Sequence, residues 1–92
     1  MHALYVTVTI ADGSYETAHQ ALRDQIVPRI RSAPGFVKGY WTAAADKHNG
    51  ASIVVFKTEQ DAKNALDMFR AGPMPSGVTP GTTEVREVVA EA

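Results

Sequence analysis

A chain of 92 residues, 45% apolar and 21% charged, with a formal net charge of −1, has the size and composition of one globular domain spanning residues 1–92. The near-balance of charge removes any long-range pull toward nucleic acid or an anionic membrane, and the lack of cysteine excludes disulfides, thiolate nucleophiles and zinc-finger sites. No apolar run approaches about 18 residues and no basic-then-apolar leader opens the chain, so a soluble, cytoplasmic protein without membrane partners is expected.

Residues 4–10 alternate strictly, with Leu4, Val6, Val8 and Ile10 on one side and Tyr5, Thr7 and Thr9 on the other. With β-branched and aromatic side chains throughout, this is a strand. Asp12-Gly13-Ser14 turns the chain and offers a helix cap through Asp12 or Ser14. Ala18, Leu22, Ile26 and Ile30 then recur at four-residue steps, one apolar stripe of a helix. Pro28 lies inside that stripe. Its ring lacks an N–H and crowds the carbonyl of Asp24, which predicts a kinked helix rather than two separate ones.

Pro34-Gly35 ends the helix, and residues 36–45 form a second strand in which Gly39 marks a bulge or a close approach. Asn49-Gly50 predicts a hairpin turn. Residues 51–57 follow as a third strand whose run Ile53-Val54-Val55-Phe56 implies cover on both faces. Thr58 caps a second helix, with Asp61 three residues on, and Ala62, Ala65, Leu66 and Phe69 are its stripe. Gly72-Pro73 stops it. Residues 72–81 read as a long surface loop, and residues 82–89 as the last strand.

The order β-α-β-β-α-β is the ferredoxin-like arrangement: an α+β domain with a four-stranded antiparallel sheet and both helices on one face. Strands one and three are then central. The other face is left without a helix, and four strands present roughly 400 Å² there. A patch of that size with apolar and aromatic groups predicts self-association, so a homodimer is expected, two sheets closing into a dimeric α+β barrel.

Three segments carry a resemblance: Tyr5-Val6-Thr7-Val8, the phrase from Val27-Pro28-Arg29 through Ala33-Pro34-Gly35-Phe36 to Gly39-Tyr40-Trp41, and Val55-Phe56-Lys57-Thr58-Glu59-Gln60-Asp61-Ala62. Together they resemble the dimeric α+β barrel superfamily, and within it the antibiotic-biosynthesis-monooxygenase-like small proteins. The resemblance implies cofactor-free oxygenation of an aromatic or polyketide-like small molecule in the barrel cavity. It equally implies, from another branch, oxidative haem degradation. That branch uses an Asn near the first strand, a Trp, and an axial His on the second helix, whereas this chain has Thr7 and Thr9 in the strand and no His in that helix. A non-catalytic homodimer that binds a small ligand or supports an assembly is the alternative.

The candidate cavity or substrate-binding residues are Tyr5, Thr7, Thr9, Tyr40 and Trp41. Tyr40 shares its side of the strand with Lys38 and Thr42, the more polar side, and by that criterion joins Tyr5, Thr7 and Thr9. Trp41 either stacks on a planar ligand or belongs to the core. His2, His19 and His48 lie at a terminus, on a solvent-leaning helix face and in a loop, a spacing that suggests no metal site. Asp46 and His48 are either an acid–base pair or a solvated turn. No nucleophile elbow surrounds any serine, no phosphate-cradling glycine loop opens a helix, and the aromatic signature of RNA-binding sheets is missing.

Overall fold

The computed structural model describes residues 1–92. Four strands, β1 (His2–Ile10), β2 (Phe36–Ala43), β3 (Asn49–Phe56) and β4 (Val78–Glu87), form one antiparallel sheet in the order β2-β3-β1-β4. The helices α1 (Tyr15–Ala21), α2 (Val27–Arg31) and α3 (Glu59–Ala71) supply its cover. This is the expected α+β arrangement, with β1 and β3 central. No helix is long and apolar enough to cross a membrane.

The kink at Pro28 takes a specific form. Between α1 and α2 the chain runs through a π-helical segment, Leu22–Ile26, and the Val27 N–H reaches back to the Leu22 carbonyl. A proline cannot complete the bond to the carbonyl four residues earlier, and a widened turn accommodates the ring without ending the helix. The widening also serves the stripe. Steps of four residues creep about 40° per step around a regular α-helix, and one extra residue in the turn winds Ile26 and Ile30 back toward the sheet. Ile30 is buried there.

The core lies between the sheet and the helices at one end of the molecule. Leu4, Val6, Val54 and Phe56 from the central strands meet Ile30 of α2 and Ala62 and Ala65 of α3. Phe56 is 0% exposed, and the Phe36 ring meets it edge to face, centroids 6.2 Å apart. The two alanines let α3 approach closely. Thr58 caps that helix by accepting from the Asp61 N–H at 3.0 Å, as its position predicts. Ser14 stands at the N-cap of α1, but its side chain makes no capping bond.

Several boundaries differ from the sequence expectation: β1 starts at His2 rather than Leu4 and β2 ends at Ala43 rather than Ala45, and the hairpin and β4 shift as well. Asn49 and Gly50 are the first residues of β3, and the hairpin turn uses Lys47, at φ 63°, as its left-handed residue. β4 begins at Val78, so the surface loop is shorter than residues 72–81 and Val88 and Val89 fall outside the strand. Pro80 is tolerated because β4 is an edge strand, where a missing N–H breaks no ladder bond. Beside it the β1–β4 register shifts between Val6 and Val8, and the Thr82 N–H donates to the Thr7 hydroxyl at 2.8 Å. Gly81 is needed for that contact, since a Cβ would sit 2.7 Å from the Thr7 Oγ1. The bulge in β2 falls between Phe36 and Lys38 rather than at Gly39.

The sheet face away from the helices is open. Tyr40 is 61% and Ile53 48% exposed, although Val54 and Phe56, one and three residues beyond Ile53 and facing the helices, are buried. The apolar run of β3 therefore has cover on one side within a single chain.

Truncating Phe56 to alanine removes the one large side chain with no solvent contact and is expected to cost about 3–5 kcal/mol. Denaturant unfolding followed by circular dichroism should show the midpoint falling sharply, with the folded baseline barely populated.

Candidate functional site

A cavity of about 250 Å³ opens between α1 and the sheet, beyond the packed core. Pairing across the strands explains it. The row Leu4, Val54, Gly39 belongs to the core, the next is Val6, Ser52, Trp41, and the third is Val8, Gly50, Ala43. Toward β2 these rows carry Ser52, Gly50 and Ala43, so the floor drops where the core end carries Phe56. Above it α1 presents Tyr15, Ala18 and His19, and the π-helical segment begins with Leu22, all spaced three or four apart and thus on one helical face. Ala18 is small as well. Met74, Pro75 and Val78 wall the side beyond α3. A hollow forms because small side chains face each other across the layer.

Sixteen of the 21 lining residues are hydrophobic, and none is Asp, Glu, Lys or Arg. Such a lining favours a ligand whose body is apolar and uncharged. Trp41 is its largest surface. The indole leans back along its own strand over Gly39, where a Cβ would lie 2.7 Å from its Cη2 and 3.4 Å from a Val54 methyl. Gly39 is thus a close-approach glycine, one of the two roles its position suggests. With β2 at the sheet edge, the ring forms the wall that no neighbouring strand supplies.

Polar groups are few. Ser52 faces the cavity from the floor, while the Thr42 hydroxyl is committed to the Ala51 carbonyl at 2.7 Å. From α1 come Tyr15 and His19, with ring centroids 5.6 Å apart and planes at 64°. The Lys47 ammonium stands 5.1 Å from the Tyr15 ring centroid. His48 ties the hairpin to the start of α1: its Nε2 is 3.2 Å from the Asp12 carboxylate and its Nδ1 3.3 Å from the Ile10 carbonyl. The Asp46 carboxylate accepts from the His48 backbone N–H at 2.8 Å. Asp46 and His48 therefore build a locked turn, and their side chains do not face each other as an acid–base pair.

Of the five candidate residues, Trp41 alone lines this cavity. Tyr5, Thr7, Thr9 and Tyr40 occupy the opposite face, in register with Ile53, Ala51 and Glu84. Polarity suggested Tyr40 over Trp41, but the enclosed space in this chain is made by small residues, and those lie on Trp41's side. Tyr5 is covered by Arg86, whose guanidinium carbon is 4.2 Å from the ring centroid and which pairs with Glu84. His19, half-buried, lines the cavity although its position reads as solvent-leaning. The spacing Tyr15, His19, Leu22, Ile26, steps of four, three and four, marks a second stripe beside the apolar one. A histidine within it is easily read as surface.

The donor set does not fit a haem held as the haem-degrading resemblance implies. α3 carries no histidine, and no Lys or Arg lines the cavity to meet porphyrin carboxylates. No three His, Cys, Asp or Glu side chains converge anywhere in the chain.

The fold and cavity define a helix-backed antiparallel sheet with a hollow at one end of its interior. No family model matches the sequence, and no curated protein matches it. Solved structures do match in fold. A MhuD mutant with two manganese protoporphyrin IX molecules bound per active site is 13% identical, with a TM-score of 0.65 over 100% of this chain and 98% of that one. A monooxygenase from the gene ActVA-Orf6 of Streptomyces coelicolor, in complex with nanaomycin D, is 14% identical, with a TM-score of 0.56 over 99% of this chain and 92% of that one. The chain has the fold of these proteins along its whole length.

Gly39→Ala is expected to push the Trp41 indole into the cavity and to cost about 1–3 kcal/mol through overpacking. A shifted tryptophan emission maximum, with the far-ultraviolet dichroism unchanged, would register the displacement.

Proposed function

We propose that this protein is a monooxygenase-like enzyme that takes a planar aromatic or polyketide-like molecule into the cavity under α1 and oxygenates it without a cofactor. The observation that carries the reading is an apolar cavity walled by Trp41, set in a fold shared over the whole chain with a monooxygenase solved with nanaomycin D. The site is the hollow inside one chain, not the space between two copies. Stacking on the indole orients the ring, and the uncharged lining excludes water from the reacting face.

The chemistry asks little of the protein. A phenol with a free ring position is oxidised to a quinone: one oxygen atom of O₂ enters the ring, the other leaves as water with the hydroxyl and ring hydrogens. The substrate supplies all four electrons, so the side chains need only bind, orient and move a proton. Incubation with a panel of naphthol-like phenols should give O₂ uptake matched by quinone formation, with one atom of labelled O₂ in the product. Trp41→Leu should lower turnover about tenfold or more. Saturable binding without O₂ uptake by any of the panel would instead favour a non-catalytic ligand binder.

A second copy of the chain is the proposed partner for the open face. The row Tyr40, Ile53, Tyr5 gives it an apolar centre, and Lys38, Glu84 and Arg86 give it a charged margin, the usual composition of an interface. Light scattering at micromolar protein should report a dimer, and Ile53→Lys should shift the equilibrium to monomer by at least about tenfold.

A further inference from the structure

We propose that His19 is the proton acceptor of the cavity, and that the ligand it selects carries an ionisable hydroxyl pointing at α1. The inference rests on the reading of the cavity as a site for an aromatic molecule and goes beyond it in naming a base and the group it acts on.

The three histidines differ in one respect. His2 lies 3.7 Å from the Glu59 carboxylate, and His48 is engaged by Asp12 and the Ile10 carbonyl. His19 has no hydrogen-bond or ion-pair partner within the chain, and it alone of the three lines the cavity. Its ring is held by the Tyr15 edge-to-face contact, a packing contact that leaves the nitrogens available. The lining contains no carboxylate, ammonium or guanidinium, so the only other titratable group facing the cavity is Tyr15. Of the charged groups on neighbouring elements, the Lys47 ammonium stands over the Tyr15 ring from the hairpin, and Glu16 and Arg23 are carried by the same helical stretch. An imidazole is the side chain suited to take a proton near neutral pH.

The step is a single proton transfer. The ligand O–H bond breaks and its electron pair stays on oxygen as a phenolate, while the proton moves to an imidazole nitrogen to give the imidazolium. No oxidant takes part in it. The resulting ion pair sits in an apolar site, where the attraction between the charges is stronger than in water. A phenolate yields an electron to O₂ more readily than the neutral phenol, which connects the step to oxygenation.

The test uses the full chain with 4-nitrophenol and its methyl ether, 4-nitroanisole, as probes. Trp41 quenching reports occupancy, and the probe's own absorbance reports ionisation. On the wild-type protein, bound 4-nitrophenol should ionise about one pH unit below the free compound, and should bind more tightly than the ether. His19→Phe should keep the quenching by the ether and abolish the ionisation shift. His19→Gln, which can hydrogen-bond but does not take the proton, should keep a preference for the phenol without the shift. Binding of both probes with no ionisation shift on the wild-type protein, or a shift that survives in His19→Phe, would overturn the role of His19 and leave the cavity reading standing. No quenching by either probe would sink both. The wild-type comparison needs no variant, so it decides the matter even if a substitution fails to fold.

Discussion

The structure depends on an unequal filling of one layer, the space between the helices and the sheet. At one end Leu4, Val54, Phe56 and Ile30 close it completely, with α3 drawn in by Ala62 and Ala65. At the other, Ala18, Ala43, Gly50 and Ser52 leave it open. Both ends share the same strands, so the filled end holds the backbone geometry that the hollow end requires. Empty apolar volume costs up to about 24 cal/mol per Å³ when sealed. A sealed void of 250 Å³ would cost about 6 kcal/mol, a large part of the 5–15 kcal/mol typical of whole domains, whereas this one opens to solvent. A 92-residue chain that tolerates such a void reduces the cost by admitting water or a ligand, and the lack of charge in the lining favours the ligand.

The helix above the hollow shows how a local constraint sets the site. Pro28 forbids one backbone bond, and the chain answers with the wide turn at Leu22–Ile26. Widened turns occur often at functional positions because they re-aim side chains without breaking the helix. Here the turn begins one residue after α1 ends, so Tyr15 and His19 sit on regular helix while Leu22 and Ile26 are rotated toward the floor. A regular helix through the same residues would turn Ile30 away from the buried cluster that also holds Phe56 and Ala62. The proline is therefore part of how one helix serves the hollow with its first half and the core with its second.

Much of this was legible in the residues. Strict alternation in β1 and the four-step stripe of the first helix gave the element order, and the order gave the sheet topology. The Thr58 cap and the close approach at Gly39 followed from single residues. The turn at Lys47 and the early start of β4 were hidden for a definite reason. Asn49-Gly50 is a strong local turn signal, but the bond from the Ala44 N–H to the Asn49 carbonyl at 2.8 Å draws Asn49 into the ladder. Pro80-Gly81 looks like a loop until an edge strand with a bulge opposite Thr7 makes both residues acceptable. Neither effect is local.

The cavity was the least legible feature, and the reason is general. A side chain announces its chemistry by being present, whereas a hollow is made by atoms that are missing. Polarity on the Lys38, Tyr40, Thr42 side of β2 drew attention to the open face, which encloses no volume within one chain. The informative signal was the group of small residues, Ala43 on one strand and Gly50 to Ser52 on its paired neighbour, beneath a helix carrying Ala18. That pattern separates the two sides of the sheet. One side is shaped by subtraction and encloses a volume within the chain. The other bears Tyr40 and Ile53 with no helix over them. Neighbouring residues of one strand, Tyr40 and Trp41, thus face different surroundings, and a shift of one position in the β2 register would exchange them. The β2 bulge between Phe36 and Lys38 fixes that register: it allows Phe36 to meet Phe56 in the core while Gly39 and Trp41, three and five residues further along, stay on the same side.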